Sequence, residues 1–270
     1  MARRLTRLAL LLLLRLGAAA ARDLSNRRNR TLTSAKAPRL ASIVLLEPRV
    51  DAGVAARVLR VIGEFADEIA TVEEVHWWTG PGGGAYAAKS ARKIVVHETA
   101  PPPTGPFDDV RRWYNRRVAA ADLWAGLPPT HALVVQHDAG VCGGGRAWDD
   151  AWLAYDFIGA RNGHGRLNGG LSVRNVETQR AQNERLRDQS TPSDGGATNE
   201  DTRLYEYCAA SPTCRLPPRE IADAFALEAP PAGDACPAAA PWAYHKAYAL
   251  RCRRELRDLC PGARWRWPSY

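Results

Sequence analysis

Residues 130–138, THALVVQHD, decide the fold class of this 270-residue chain. Their apolar centre has the length of one buried β-strand, and polar residues follow it at once. In open α/β sheets, ligands bind beyond the carboxyl ends of the strands. We therefore expect Gln136, His137 and Asp138 to lie beside a binding site.

Helical and strand-like segments alternate before this strand. Val54, Val58 and Val61 recur at the spacing of an amphipathic helix. The sequence predicts strands over residues 41–47, 93–97 and 130–136 and a further strand within 69–78. It predicts helices over 51–66 and 107–123, and loops over 79–91 and 101–106. This order opens a three-layer α/β sheet. The polar stretch 175–199 is predicted to be a mobile loop that closes over a ligand.

The composition limits the classes of function. Hydrophobic residues make up 46% of the chain and charged residues 24%, which is typical of a packed globular domain. The formal net charge is +8, but ten Arg and Lys residues precede residue 41, so the excess belongs mostly to an N-terminal arm. No basic stripe is interleaved with aromatic residues, and we expect no nucleic-acid partner.

The N-terminus predicts entry into the secretory pathway. Residues 1–21 combine early arginines, a short apolar run and small residues, as in a cleaved signal peptide. An uncleaved membrane anchor is the alternative, and it would be the chain's only membrane contact. Residues 22–40 are polar and basic, as in a stem, and contain the glycosylation sequon Asn29-Arg30-Thr31. We expect a location in the Golgi or endoplasmic reticulum lumen, or secretion.

The six cysteines agree with an oxidising compartment, because an even number can pair completely. Spacing alone leaves the pairing open. The economical local pairs are Cys208 with Cys214 and Cys252 with Cys260, which leaves Cys142 and Cys236.

Two motifs with a superficial likeness to known sites are rejected. The stretch from Gly83 to Lys89 departs from a phosphate-binding loop, since Ala88 replaces the glycine that lets backbone N–H groups approach phosphate. Ser172 lacks the glycine that a nucleophile elbow needs two residues later, because Arg174 stands there. Neither a nucleotide-hydrolysing loop nor a serine hydrolase is expected.

Four groups of residues carry candidate chemistry, each with an ordinary structural alternative. Asp138 can ligate a divalent cation or cap a loop. Gly169-Gly170 permits close approach to a ligand or forms a hairpin turn. Glu200-Asp201 can supply a general base or begin a helix. His245 can ligate a metal or serve the core.

Taken in order, these pieces resemble an uncharacterised domain family that is itself similar to the GT-A glycosyltransferases. The resemblance covers residues 41–250. It rests on five ordered motifs: QHD at 136–138, YDFIGA at 155–160, NGGLSVR at 168–174, ED at 200–201, and FALE at 225–228 with a late histidine at 245. The early strand at residues 43–49 and WDD at 148–150 also match.

The resemblance implies an α/β fold, a GT-A-like three-layer sandwich with a mixed, mostly parallel central sheet, followed by a C-terminal tail at 251–270. It implies transfer of a sugar from a nucleotide-sugar donor to a hydroxyl of a glycan or protein acceptor, with Mn²⁺ or Mg²⁺ as cofactor. Asp138 and His245 would hold the metal, and Asp201, or else Glu200, would be the catalytic base. The substrate-binding residues would be Gln136, Asn168, Gly169, Gly170, Ser172 and Asp156.

One departure from the family pattern supports a competing function. Gln136 stands where a full D-x-D motif has its first acid, and an amide is a poorer partner for a metal. A catalytically inactive protein that binds a carbohydrate or nucleotide on the same fold is therefore the alternative. A secreted, disulfide-rich structural protein without a small ligand is a third hypothesis.

Overall fold

The computed structural model describes residues 38–100, 107–143, 146–188, 198–228, 239–246 and 258–260. The predicted signal peptide or anchor, most of the stem and the Asn29 sequon lie outside the described residues, as do the 101–106 loop, Cys236 and Cys252. Within the described ranges, no helix is long and apolar enough to cross a membrane.

Nine strands and seven α-helices are found in the described ranges. The strands are β1 (Leu40–Leu46), β2 (Glu74–Thr79), β3 (Ile94–Glu98), β4 (His131–Val135), β5 (Ala139–Val141), β6 (Phe157–Arg161), β7 (Leu167–Asn175), β8 (Ala226–Leu227) and β9 (Ala243–His245). The helices are α1 (Ala52–Glu68), α2 (Gly83–Ala87), α3 (Phe107–Val118), α4 (Ala121–Ala125), α5 (Val176–Asp188), α6 (Glu200–Ala210) and α7 (Arg219–Phe225). A 3₁₀ turn covers Asp150–Ala154.

All nine strands form one mixed sheet in the order β3-β2-β1-β4-β7-β6-β8-β9-β5. The pairs among β3, β2, β1 and β4 are parallel, whereas β7 runs antiparallel to both β4 and β6. Apolar residues of α1 pack on one face, and those of α3 and α4 pack on the other. The predicted three-layer α/β architecture, with helices on both sides of a mixed and mostly parallel sheet, is confirmed.

Strand β1 explains why the centre of this sheet is so apolar. All seven of its residues are buried, because helices cover both faces and parallel strands bury both sides. It pairs with β2 on one side and with β4 on the other, where Val44 lies opposite Val134. The chain moves outward through β2 and β3 and then returns to add β4 beyond β1. The strand order therefore reverses between β1 and β4, the place where such sheets bind ligands.

Helix α1 forms where its valine periodicity predicts it. Asp51 caps its N-terminus, since the carboxylate accepts a hydrogen bond from the Val54 amide at 2.8 Å. The periodic residues Val58 and Val61 are fully buried against the sheet. Burial of this apolar stripe fixes the helix on its face of the sheet.

Three local predictions were wrong. The predicted 79–91 loop contains the short helix α2, and the single 107–123 helix is two helices, α3 and α4. The first part of the predicted mobile loop at 175–199 is α5, and residues 189–197 lie outside the described residues. The Asn175 side chain caps this helix by accepting from the Glu177 and Thr178 amides. Its polar residues Gln179, Gln182 and Asn183 are buried and hydrogen-bond one another. Polar composition here reflects an internal network rather than exposure to solvent.

Two disulfides tie the described chain together. Cys208 bonds to Cys214, as the local spacing predicted. Cys260 bonds to Cys142 rather than to Cys252, so that part of the prediction was wrong. Sequence proximity misled because the fold returns the chain near residue 260 to the end of β5. Both bonds are compatible with an oxidising compartment.

Candidate functional site

Four separate elements meet at one end of the sheet. The carboxyl end of β4 leads into Gln136, and the Gln136 amide donates to the Gly170 carbonyl at the start of β7 (2.8 Å). The Gly169 amide donates to the Asp201 carboxylate in the first turn of α6 (2.8 Å). His245, the last residue of β9, lies 2.9 Å from the Gln136 side chain. The predicted residues of four distant motifs are thus neighbours.

Gln136, Asp138 and His245 converge on one point. His245 Nε2 lies 2.9 Å from Gln136 Oε1 and 3.3 Å from Asp138 Oδ1. The His245 side chain is fully buried, and the Asp138 side chain is 13% exposed. Glu228, just after β8, approaches the other imidazole nitrogen, with Oε2 at 3.5 Å from Nδ1. The imidazole is therefore held between two carboxylates.

Electrostatics in this group favour its charged forms. Burial alone would raise the pKa of Asp138, but the His245 imidazole holds it well below its usual range. Burial lowers the pKa of His245, whereas the carboxylates of Asp138 and Glu228 raise it above its ordinary value. A second positive group could replace the imidazolium as the partner of Asp138, and a metal ion is one such group.

The donor atoms fit a divalent cation in part. In an octahedral site with ligands about 2.1 Å from Mg²⁺, neighbouring ligands are about 3.0 Å apart, close to the two distances from His245 Nε2. A carboxylate, an amide oxygen and an imidazole together suit Mn²⁺ better than Mg²⁺. No group of three or more His, Cys, Asp and Glu side chains within the described ranges could hold a metal ion. A metal at Asp138 and His245 would thus need further ligands, such as phosphate oxygens and water.

The paired glycines make room for the polar groups around them. A Cβ on Gly170 would lie 2.5 Å from both Gln136 Oε1 and His245 Nε2. A Cβ on Gly169 would lie 2.2 Å from Glu200 Oε1 and 2.5 Å from the Arg174 guanidinium. The Asn168 side chain holds the turn by accepting from the Gly170 amide at 2.6 Å. Close packing requires a glycine at both positions, but the sequence alone does not identify the side chains that surround them.

Arg174 and Glu200 form a buried ion pair behind the glycines. The guanidinium donates to both Glu200 oxygens, at 2.7 and 3.1 Å, and also to the Gly169 carbonyl at 3.1 Å. Arg174 is fully buried. Burial raises the pKa of Glu200, and the Arg174 guanidinium offsets part of that rise. Both Glu200 oxygens are thus committed to Arg174, which makes Asp201 the better candidate for a base.

The Asp201 carboxylate is aligned by backbone donors. One oxygen accepts from the Gly169 amide at 2.8 Å, and the other accepts from the Thr202 amide at 2.6 Å. The residue is 7% exposed. The Thr202 hydroxyl makes a third, longer contact with the same carboxylate at 3.5 Å. A carboxylate has about four acceptor sites, so these three contacts leave capacity for a further donor.

Two predicted substrate-binding residues have other roles in the structure. Ser172 is fully buried, donates to the Gly169 carbonyl and accepts from Arg174, so it supports the turn from behind. Asp156 accepts from Thr178 and from the Arg215 amide near the amino end of β4. Asp156 lies level with Asn175, so the strand register places it roughly 17 Å along the sheet from Gly170. The structure does not bring Asp156 to the site.

Sequence reasoning overlooked three functional candidates. Glu228 and Lys246 flank the buried His245, and the Lys246 ammonium lies 3.6 Å from Glu228 Oε1. Arg174 organises the glycine turn. The signals were present, since Glu228 ends the FALE motif and Lys246 directly follows His245. A side chain's partner across the fold, however, is not readable from its own motif.

A second polar network lies at the switch point between β1 and β4. Glu47 is buried and accepts two 2.7 Å hydrogen bonds from the Arg49 guanidinium, one at each carboxylate oxygen. His137 Nδ1 lies 2.8 Å from Oε2, one of those two oxygens. Burial alone would raise the pKa of Glu47, but these two partners lower it to about 2. The network fixes His137 directly beside Asp138.

Comparison with known proteins gives the family. The family model described as a protein of unknown function (DUF5672) matches residues 101–245, more than half of the chain. The chain belongs to the DUF5672 family. Among curated proteins, none matches. A solved structure, the 4-diphosphocytidyl-2C-methyl-D-erythritol synthase of Anaerococcus prevotii, is 8% identical with a TM-score of 0.37, over 63% of this chain and 84% of that one. At those values the likeness carries no functional argument.

The DUF5672 segment contains the four elements of the candidate site. Gln136 and Asp138, the glycine turn, the start of α6 and His245 all fall within residues 101–245. Lys246 is the next residue after the matched segment, and Glu47 precedes it.

Proposed function

We propose that this DUF5672 protein is a glycosyltransferase that moves a sugar from a nucleotide-sugar donor to a hydroxyl group of a glycan or protein acceptor, assisted by Mn²⁺ or Mg²⁺. The observation that carries the proposal is the convergence of Asp138, Gln136 and His245 beneath Gly170. It lies at the carboxyl ends of the strands, next to the reversal of strand order. A secretory location, in the Golgi or endoplasmic reticulum lumen or outside the cell, belongs to the same proposal.

Asp138 and His245 are the residues that would hold the metal. When bound, a divalent ion supplies positive charge that offsets the negative charge developing on a leaving diphosphate. Gln136 contributes a neutral oxygen, so the protein brings one negative charge to the ion through Asp138. The low pKa of Asp138, which His245 maintains against the effect of burial, keeps that carboxylate ionised at neutral pH.

Asp201 is the proposed general base. The bond between the anomeric carbon and the diphosphate oxygen breaks, the acceptor oxygen bonds to that carbon, and its proton passes to Asp201. The Gly169 and Thr202 amides fix the orientation of the carboxylate before substrate arrives. Glu200 holds Arg174 and supports the turn instead.

Nucleotide release from a panel of nucleotide sugars with Mn²⁺ tests the proposal. We expect Asp201→Asn to retain donor binding and to lower turnover by about 10²–10⁴-fold, the usual contribution of a positioned base. The amide oxygen of asparagine can still accept from Gly169. Glu206→Gln, an exposed change on the same helix, is the matched control. Normal turnover by Asp201→Asn would show that Asp201 is not the general base.

One observation favours a second function, a catalytically inactive binding protein on the same fold. Gln136 provides a neutral amide oxygen, which is a weaker metal ligand than a carboxylate. Both Asp201 oxygens already accept hydrogen bonds from backbone amides. In that case wild-type protein binds a nucleotide or nucleotide sugar in the presence of metal but releases no product over hours.

A further inference from the structure

Lys246 has an unusual backbone conformation next to the site. Among the described residues it is the one non-glycine residue with a positive φ, at 48°. Left-handed backbone is costly for a residue with a Cβ and persists where the surroundings or the function demand it. It follows directly after the buried His245, so this conformation sets where the lysine side chain leaves β9.

The Lys246 ammonium lies within a group of acids. Its Nζ is 3.6 Å from Glu228 Oε1, longer than a hydrogen bond, and the side chain is 33% exposed. Burial raises the pKa of Asp138 and of Glu228, yet Lys246 is among the charges that lower the pKa of each. The cation is thus beside Glu228, directly after His245 in the chain, loosely held, and accessible from solvent.

We infer that Lys246 binds the phosphate groups of an anionic ligand, exchanging its loose contact with Glu228 for charged hydrogen bonds to a phosphate oxygen. The inference rests on the proposed function for the identity of the ligand, a nucleoside diphosphate sugar. A lysine ammonium is a compact charge with three donors and suits a phosphate group. Glu228, which also approaches the His245 imidazole, holds the ammonium until the ligand arrives.

Titration calorimetry with inorganic pyrophosphate and Mn²⁺ tests the inference without any nucleotide. We expect Lys246→Asn to weaken pyrophosphate binding by about 10- to 100-fold, the loss of one charged hydrogen bond. Asparagine tolerates left-handed backbone, so this variant should fold as wild type does. Lys246→Arg keeps the charge and should restore affinity to within about threefold of wild type. Lys93→Asn removes an exposed lysine at the start of β3 and should change nothing.

The outcomes separate this inference from the transferase proposal. Equal pyrophosphate affinities for wild type and Lys246→Asn, or no pyrophosphate binding by wild type, overturn the role of Lys246. A lower melting temperature for Lys246→Asn with unchanged affinity also overturns it, because that result shows only a structural counter-ion to Glu228. If pyrophosphate binds through Lys246 while no nucleotide sugar binds or reacts, the inference stands and the proposed function fails.

Discussion

Arg174 connects the chemistry of the site to its stability at the scale of single residues. One fully buried guanidinium holds Glu200, the Gly169 carbonyl, Ser172 and Gln179. Four partners around one charge explain how a cation can be kept in the interior, since a buried ion must be paired and hydrogen-bonded.

Removing the charge of Glu200 should destabilise the protein. We expect Glu200→Gln to lower the free energy of unfolding by about 3 kcal/mol, because Arg174 is left as a buried charge without its counter-ion. For a domain of this size that is a fall of roughly 6–12 °C in melting temperature. Glu206→Gln on the exposed side of α6 should stay within about 0.5 kcal/mol of wild type. Equal melting temperatures for both variants would contradict a structural role for the pair.

Glu47 should make stability depend on acid pH. Its pKa is about 2 in the folded protein and 4.5 in its ordinary state, so folding favours the ionised form. That stabilisation is complete above about pH 4.5 and is lost as the pH falls toward 2. The shift corresponds to about 3 kcal/mol, to order of magnitude.

Urea unfolding of wild type and Glu47→Gln at several pH values measures this contribution. The difference in unfolding free energy should be about 3 kcal/mol at pH 7 and should shrink steadily below pH 4.5. Glu68→Gln, an exposed change at the end of α1, serves as the control. A difference that stays constant between pH 7 and pH 2.5 would refute the assigned pairing.

Prediction of site residues from sequence succeeded where a polar residue directly follows a strand that is recognisable in the sequence. Gln136 and Asp138 follow a strand that is recognisable by its apolar run, and strand ends in such sheets share one edge. Glu200 was predicted as a possible base, but its buried partner Arg174 lies 26 residues earlier in the chain. Asp156 belongs to a motif of the same resemblance and still lies away from the site. Spacing along the chain does not report distance across it.

At the scale of elements, the β6–β7 hairpin sets the geometry of the site. It carries Gly169 and Gly170 to the carboxyl end of β4 and fixes them by strand register. Gly159 on β6 faces the Asn168 carbonyl, where a Cβ would lie only 2.4 Å away. Close strand packing on both sides leaves little freedom for the glycine turn.

A methyl group at residue 170 should disrupt the candidate metal site. Gly170→Ala places Cβ about 2.5 Å from Gln136 and His245, so these side chains must separate. We expect Mn²⁺-dependent nucleotide binding to weaken by about tenfold or more, since His245 is a proposed ligand. Gly163→Ala changes the exposed turn of the same hairpin, where a Cβ meets nothing within 4 Å, and should bind normally. Undiminished binding by Gly170→Ala would exclude His245 as a ligand.

Helix α5 shows where prediction of elements fails. Its sequence is polar on all sides, and polarity is normally evidence of exposure. The buried amide of Gln179 donates to the side-chain oxygens of Gln182 and Asn183, and Gln179 also receives a hydrogen bond from Arg174. Only tertiary structure supplies those partners, so periodicity of apolar residues gave no signal. The apolar elements β1, β4 and α1 were predictable because burial alone determines them.

At the scale of the whole molecule, the Cys142–Cys260 bond ties together the two parts of the site. Cys142 follows β5, the strand that begins just after Asp138. Cys260 comes later in the chain than His245, which ends β9, and β9 pairs with β5. We expect Cys142→Ser to lower the unfolding free energy by about 4 kcal/mol, as the bond closes a separation of 118 residues. The Cys142→Ser variant should also bind nucleotide more weakly than wild type.

Cys208→Ser is the control for loss of a disulfide. That bond closes a separation of only six residues, so its loss should cost about half as much and leave nucleotide affinity intact. Chemical denaturation and calorimetry of both variants make the comparison. Equal effects of the two variants on affinity would show that the Cys142–Cys260 bond has no particular connection to the site.

Metal-dependent nucleotide binding at Asp138 is the central claim, and thermal denaturation tests it most directly. Residues 23–270, expressed through a secretory system, would be melted against a panel of nucleotides and nucleotide sugars with Mn²⁺, Mg²⁺ or EDTA. A ligand at 100 times its dissociation constant adds about 2.7 kcal/mol, a rise of roughly 5–10 °C here. We predict such a rise with one nucleotide family, only with metal, and its loss in Asp138→Ala. A flat panel from folded wild-type protein, or a rise that neither EDTA nor Asp138→Ala removes, would contradict the claim.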